Sequence, residues 1–212
     1  MESKYYAAHN VDQYVKENFF SNKNKGYFID IGAHNGIDIN NTYYFENEGW
    51  DGICFEPLPE IFIQLKQNRK CKLINKALSD KSGVASFFNI KGYSNMLSGL
   101  VEHYPQEHIA RINKEIEEHN QEYGYIEVEC STFEQEVQEK NIDILSIDTE
   151  GSELAILKTI DFSYYNINVM VIEYNYHNPE IITFLNKNNF EIVDHIGGLD
   201  LVVKNKNYDY KK

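Results

Sequence analysis

Residues 142–153 read IDILSIDTEGSE. The first half, ending at Ile147, is a mostly apolar run of strand length and reads as a strand inside a protein. Asp148, Glu150 and Glu153 then fall within six positions. Burying an unpaired charge is costly, so acids set directly after a core strand imply a partner, a proton or a ligand.

On both sides of this stretch the chain alternates. GYFIDIG (26–32) is a short apolar strand, and IDINNTYYFENEG (37–49) reads as a helix closed by Gly49. DGICFEP (51–57) is a second strand stopped by Pro57. PEIFIQLKQN (59–68) is a helix with Pro59 in its first turn, and CKLINKAL (71–78) is a third strand. The pattern breaks over 80–140, where a hairpin is expected at GVASFFNI (83–90), followed by the polar loop KGYSNMLSGL (91–100). A polar helix over about 105–120 carries Ile109, Ile112 and Ile116 on one stripe, and YIEVECS (125–131) returns the chain to the main pattern. From 142 the alternation resumes: a strand to Ile147, a helix over about 152–160, the strand INVMVIE (167–173) and a helix over 179–188. The strands FEIVDHI and LDLVVKN close the fold about Gly197 and Gly198. Such alternation predicts an α/β protein with a mostly parallel sheet covered on both faces and a final antiparallel hairpin. The expected organisation is an N-terminal helical extension (1–25), one domain (26–204) with 80–140 inserted, and a frayed tail (205–212).

Composition narrows the class. The 212 residues suit one domain, and 42% hydrophobic with 14% aromatic content is enough for a sizeable core. A net charge of −13 repels phosphate backbones and anionic membrane surfaces, which argues against nucleic-acid or membrane partners. Cys54, Cys71 and Cys130 are scattered and odd in number, as suits a reducing compartment. The stretch MESKYYAAHNVDQY lacks the basic and apolar regions of a signal peptide, so a soluble cytoplasmic protein is expected.

Open α/β sheets bind ligands at the carboxyl ends of their strands. The first strand ends in DIGAHNG, with Asp30, Gly32 and Gly36, where glycine lets backbone pass close to a ligand. The second ends in Glu56, twenty residues beyond Gly36, where an acid can accept both hydrogen bonds of a ribose diol. The dinucleotide pattern G-x-G-x-x-G is missing; here the order is D-x-G-x-x-x-G, with nothing basic nearby to compensate a pyrophosphate. An adenosine cofactor without phosphate fits better, and S-adenosylmethionine, whose sulfonium and ammonium are positive, suits an acidic site.

With these motifs in place the chain resembles the FkbM family of S-adenosylmethionine-dependent methyltransferases. The matching stretches are FIDIGAHNGIDINNTYYFE, GWDGICFEPLPEIFIQL, NKALSD, MLSGLVE, DILSIDTEGSELAILKTIDF and VMVIEYN, in order over roughly 26–175. The segment IDTEGSE is the most distinctive. The resemblance implies a class I methyltransferase sandwich, Rossmann-like, with sheet order 3-2-1-4-5-7-6, and O-methylation of sugar or natural-product hydroxyls. It also implies that Gly32, Ala33 and Gly36 line the methionine part, Glu56 holds the ribose, and Ala77 and Leu78 edge the adenine. Asp30, Asn35 and Pro57 complete the expected cofactor set. His34 departs from the asparagine common at its position and reads as tolerated variation.

A hydroxyl is a weak nucleophile until a base or a metal ion eases its ionisation. Asp148 ends the fourth strand and Glu173 its neighbour, followed by Asn175. One carboxylate can accept the proton, or Asp148, Glu173 and Asn175 can hold a divalent cation. Glu150, beside Gly151, is either part of that pocket or a helix-start acid, and Glu153 reads as helix-start electrostatics. For Asp30 a structural role and a cofactor contact stand equal. His103, His108 and His119 read as solvated. Tyr93, Ser94, Asn95, Ser98 and Asn175 are the expected contacts to a small-molecule or glycan acceptor. Two other classes stay open: a binding protein on the same fold, and a nucleotide-dependent oxidoreductase.

Overall fold

The computed structural model describes residues 5–209. Positions 1–4 of the expected N-terminal extension and 210–212 of the expected tail lie outside the described residues. Helix α1 (Val11–Phe19) precedes strand β1 (Tyr27–Ile31), helix α2 (Tyr43–Asn47) and strand β2 (Asp51–Phe55). Helix α3 (Pro59–Asn68), β3 (Lys72–Ile74) and β4 (Ala77–Leu78) come next. The inserted region holds β5 (Gly83–Ile90), β6 (Gly99–Leu100), α4 (Gln106–His119) and β7 (Tyr123–Ser131). The last part runs α5 (Phe133–Glu136), β8 (Asn141–Ile147), α6 (Glu153–Leu157), β9 (Asn166–Glu173), α7 (Pro179–Lys187), β10 (Phe190–Ile196) and β11 (Asp200–Asn205).

Seven strands form one mixed sheet in the order β10-β11-β9-β8-β1-β2-β3. All its pairings are parallel except those of β11, which runs antiparallel between β9 and β10. Counted along the whole chain, the labels differ from the expected numerals because insertion strands β4–β7 take four of them. Strand alternation sends Ile29 and Ile31 of β1, with Leu145 and Ile147 of β8, into a core covered by Ile156 of α6 and Leu185 of α7. Phe28 and Ile144 point the other way, onto Val15 of α1, Phe45 of α2 and Leu65 of α3. Both faces of the central strands are thus buried, which is why IDILSI carries so few polar residues.

Three expected elements are revised. The helix at 37–49 is confined to Tyr43–Asn47. Asn35 accepts the N–H groups of Ile37 and Asp38, and Asn40 those of Thr42 and Tyr43; these local side-chain bonds compete with helix formation. The strand at 71–78 is split in two. Asn75 breaks it by donating to the carbonyls of Glu56 and Pro57, and Ala77–Leu78 then joins a second sheet. The stretch Gly83–Ile90 is a single strand, not a hairpin, and it pairs antiparallel with the short β6 and, along its whole length, with β7 on the far side of α4.

That second sheet, β4-β7-β5-β6, packs Phe87, Val128 and Ala77 against Leu58 and Ile61 at the start of α3. On its other side Phe88 and Ile90 meet Ile112 and Ile116 of α4. The inward stripe of α4 is 108-112-116, so Ile109 is 45% exposed whereas His108 is fully buried rather than solvated. The tail is not frayed throughout: Tyr208 packs on Phe20 and donates to the Phe19 carbonyl.

Candidate active site

The carboxyl ends of β1, β2, β8 and β9 open into a cavity of about 230 Å³, roofed by the insertion. Its floor is the crossing of two turns. Gly32, at φ +86°, follows β1, and a Cβ there would lie 1.8 Å from the Asp148 carbonyl oxygen. The N–H of Asp148 donates to the Ile31 carbonyl at 2.9 Å, and those of Gly32 and Ala33 donate to Phe55 at 3.1 and 2.9 Å. The first turn is therefore pinned between the neighbouring strands.

Asp30 belongs to the support beneath this floor. It accepts hydrogen bonds from Asn40 at 2.9 Å and Thr42 at 2.6 Å, and the buried Arg69 guanidinium lies 3.7 Å away. Arg69 also pairs with Glu46 and donates to the Gly36 carbonyl at 3.2 Å. Asp30 does not line the cavity; of the two roles left open for it, the structure shows the structural one. Ala33, Asn35 and Gly36 likewise stand behind the cavity wall: Gly36 backs onto Leu65 and Arg69, and Asn35 is engaged with Asp38.

Glu56 borders the cavity with Pro57, and Ala77 and Leu78 supply an apolar edge beyond them. Each Glu56 oxygen takes one backbone N–H, from His34 at 3.0 Å and Leu58 at 2.8 Å. A carboxylate has about four acceptor positions, so two remain for a ligand. Burial pushes its pKa up to about 7, against the pull of those two N–H groups.

Across the cavity stand Asp148, Glu150 and Glu173, with carboxylate oxygens within 4.8 Å of one another. Asp148 opens into the cavity, and the other two are buried. Enclosure by protein, then the charges of Glu150 and Asp200, raises the Asp148 pKa well above the usual range. Glu173 is raised first by burial and then by Asp148 and Glu150. The two carboxyls are close enough that the ionisation of one opposes that of the other. Asn175 donates to Glu173. Asp200, set opposite Glu173 by the β9–β11 register, is pushed up to about 6 by burial.

The turn bearing these acids is held by Glu153. One of its oxygens accepts from the Thr149 N–H at 3.0 Å, the Thr149 hydroxyl at 2.7 Å and the Gly151 N–H at 3.1 Å. Glu153 is thus more than a helix-start charge: it closes the loop on itself. Glu150 occupies a left-handed conformation, φ +59°, and its N–H donates to Glu173 at 3.0 Å. Its side chain meets His108 Nδ1 at 3.2 Å, which brings the insertion helix into the acid cluster.

Of the expected acceptor contacts, Asn95, Ser98 and Asn175 line the cavity. Tyr93 does not: it is 81% exposed and stacks on His119. Ser94 turns away to Glu115 and Gln121. Several lining residues escaped the sequence reading, among them Arg111, Asp200 and Leu199. Asp200 was findable in principle, because an acid opening the last strand of an antiparallel hairpin must sit beside the end of its neighbour.

An α/β sheet with a glycine turn, a buried glutamate and an acid cluster gathered at its strand ends has the layout of a ligand-binding α/β protein. Residues 30–192 match the family model for the methyltransferase FkbM domain, and the chain belongs to that family of methyltransferases. No curated protein matches the chain.

Proposed function

We propose that the protein is an S-adenosylmethionine-dependent O-methyltransferase acting on a hydroxyl of a sugar, glycan or small natural product in the cytoplasm. The observation that carries this reading is the facing of two acidic sites across one cavity: Glu56 on one wall, the Asp148–Glu173 pair on the other. The wall residues suit the cofactor. Glu56 keeps acceptor positions for a ribose diol, Ala77 and Leu78 offer an apolar face to the base, and the floor at Gly32 has no side chain. When bound, S-adenosylmethionine supplies an electrophilic methyl group on a cationic sulfur. Asp148 takes the acceptor proton as the hydroxyl oxygen attacks in line. Its raised pKa brings it towards the pH at which it must accept that proton, and Glu173 shares the charge.

A second reading rests on the carboxylate oxygens of Asp148, Glu150 and Glu173, which lie within 4.8 Å of one another: Asp148 and Glu173, with the neighbouring Asn175, would hold a divalent cation that eases ionisation of the same hydroxyl. Dialysis against a chelator separates the two: the base reading expects full turnover, the metal reading expects loss and recovery on adding Mg²⁺ or Mn²⁺.

Titration calorimetry with S-adenosylhomocysteine and with NAD tests the cofactor, and a labelled methyl donor offered with a panel of sugars tests the reaction. Binding of NAD alone would favour an oxidoreductase. Cofactor binding without transfer to any acceptor would favour a binding protein on this fold.

A further inference from the structure

Beside the first cavity lies a second, of about 330 Å³, between the start of α3 and the end of β5. Pockets that take small molecules begin at about 300 Å³. Leu58 and Asn95 line both cavities, so a ligand in one stands next to a ligand in the other. The second also meets Glu60 and Ile61 of α3, Asn89 of β5, and Lys91 in the loop that follows.

Asn89 is the anomaly in this wall. Strand alternation puts residues 85, 87 and 89 on one face, where Ala85 and Phe87 pack with Leu58 and Ile61. The next place on that face holds an amide instead of an apolar side chain, and it is only 5% exposed. Its NH2 donates to Glu60 Oε1 at 3.1 Å, which fixes the amide's orientation, since a carboxylate only accepts. Its Oδ1 is buried and has no hydrogen-bond partner. Buried polar groups are nearly always satisfied, because an unmet acceptor is costly. An acceptor left open at a cavity wall is completed by a donor that enters the cavity.

The rest of the lining describes that donor. It has one acid, Glu60, and one base, Lys91, so the cavity suits a neutral molecule. Asn89 and Glu60 accept hydrogen bonds and Lys91 donates them, which matches the hydroxyls of a sugar ring. Leu58 and Ile61 add an apolar surface for the ring's C–H face. We propose that this second cavity is a saccharide subsite, holding the unit of a glycan acceptor next to the one in the first cavity. The proposal rests on the reading of the acceptor given above, and narrows it to a glycan longer than a single sugar.

The test is an array of mono-, di- and trisaccharides of glucose, galactose, mannose and rhamnose, read with and without S-adenosylhomocysteine. Calorimetry then compares each oligosaccharide that binds with its own monosaccharide. The expected gain from the second unit is at least about tenfold. N89L, similar in size to asparagine but without an acceptor, should lower the oligosaccharide affinity about fivefold and leave the monosaccharide within about twofold. It should also melt no lower than wild type, because the unmet acceptor is gone. K91A, at the exposed rim, should lower the oligosaccharide affinity about threefold, and it decides the matter if N89L fails to fold. A second unit that adds nothing, a gain that survives the deciding variant, or an equal loss for both sugars would each overturn the proposal. Binding of nothing on the array would remove the sugar reading of the acceptor and the proposal with it, a result distinct from monosaccharide binding without gain.

Discussion

Gly32 and Asp148 meet back to back: the space a Cβ would need at Gly32 is filled by the Asp148 carbonyl oxygen, 1.8 Å from where that atom would sit. The obstacle is backbone, held by the Asp148 N–H on Ile31, so it has little freedom to move aside. G32A also forces alanine into φ +86°. A destabilisation of more than about 2 kcal/mol is expected. Thermal or urea unfolding measures it, and a melting temperature equal to wild type would show that the two turns can part.

E56Q should separate stability from binding. The folded pKa of Glu56, about 7, lies above its ordinary value of 4.5. The stabilisation from this group is therefore complete below about pH 4.5 and is lost as pH rises through 7, amounting to about 3 kcal/mol. Glutamine abolishes that dependence but sets its NH2 against one of the two backbone N–H groups, so the variant should show a flat stability profile from about pH 5 to pH 8 while binding S-adenosylhomocysteine more weakly. For wild type the ionised carboxylate is the better diol acceptor, and affinity should rise about tenfold from pH 6 to pH 8. A flat affinity profile would remove Glu56 from the ribose.

D148N should lose methyl transfer by at least about a thousandfold while its affinity for S-adenosylhomocysteine stays within about threefold of wild type. Single-turnover transfer and calorimetry measure the two quantities separately. Retained turnover in D148N would sink both the base and the metal reading.

E153A should act on the acid turn from beneath. Three donors, from Thr149 and Gly151, lose their shared acceptor, at a cost of about 1–3 kcal/mol. E153Q keeps an acceptor oxygen and should recover most of that loss. Equal melting temperatures for the two variants would count against the role of Glu153 as a clasp.

The main sheet was legible because its central strands are buried on both faces, so GYFIDIG, DGICFE, IDILSI and INVMVIE stand out as mostly apolar runs. The insertion was not, because β5 pairs with β7 across an intervening helix, and local periodicity carries no trace of a partner so distant. The same gap explains the acceptor side. Asn95 and Ser98 reach the cavity while Tyr93 faces solvent and Ser94 is buried against Glu115 and Gln121, since a turn sends adjacent side chains apart. Asp148, Glu173 and Glu56 were readable from their places at strand ends. His108 was misread because a histidine on a polar helix gives no hint that its own stripe is the buried one.

Ala77–Leu78 and Cys130–Ser131 lie side by side as parallel partners, so the chain leaves for the roof and comes back from it at one shared seam. A segment whose two ends are neighbours can be lengthened, shortened or exchanged with little effect on the strands it springs from. The floor of the cavity thus joins the 79–129 segment covalently at one seam, and meets it otherwise by side-chain contacts such as His108 on Glu150. Grafting that segment between members of the family, with His108 kept, tests whether the roof sets what the cavity accepts.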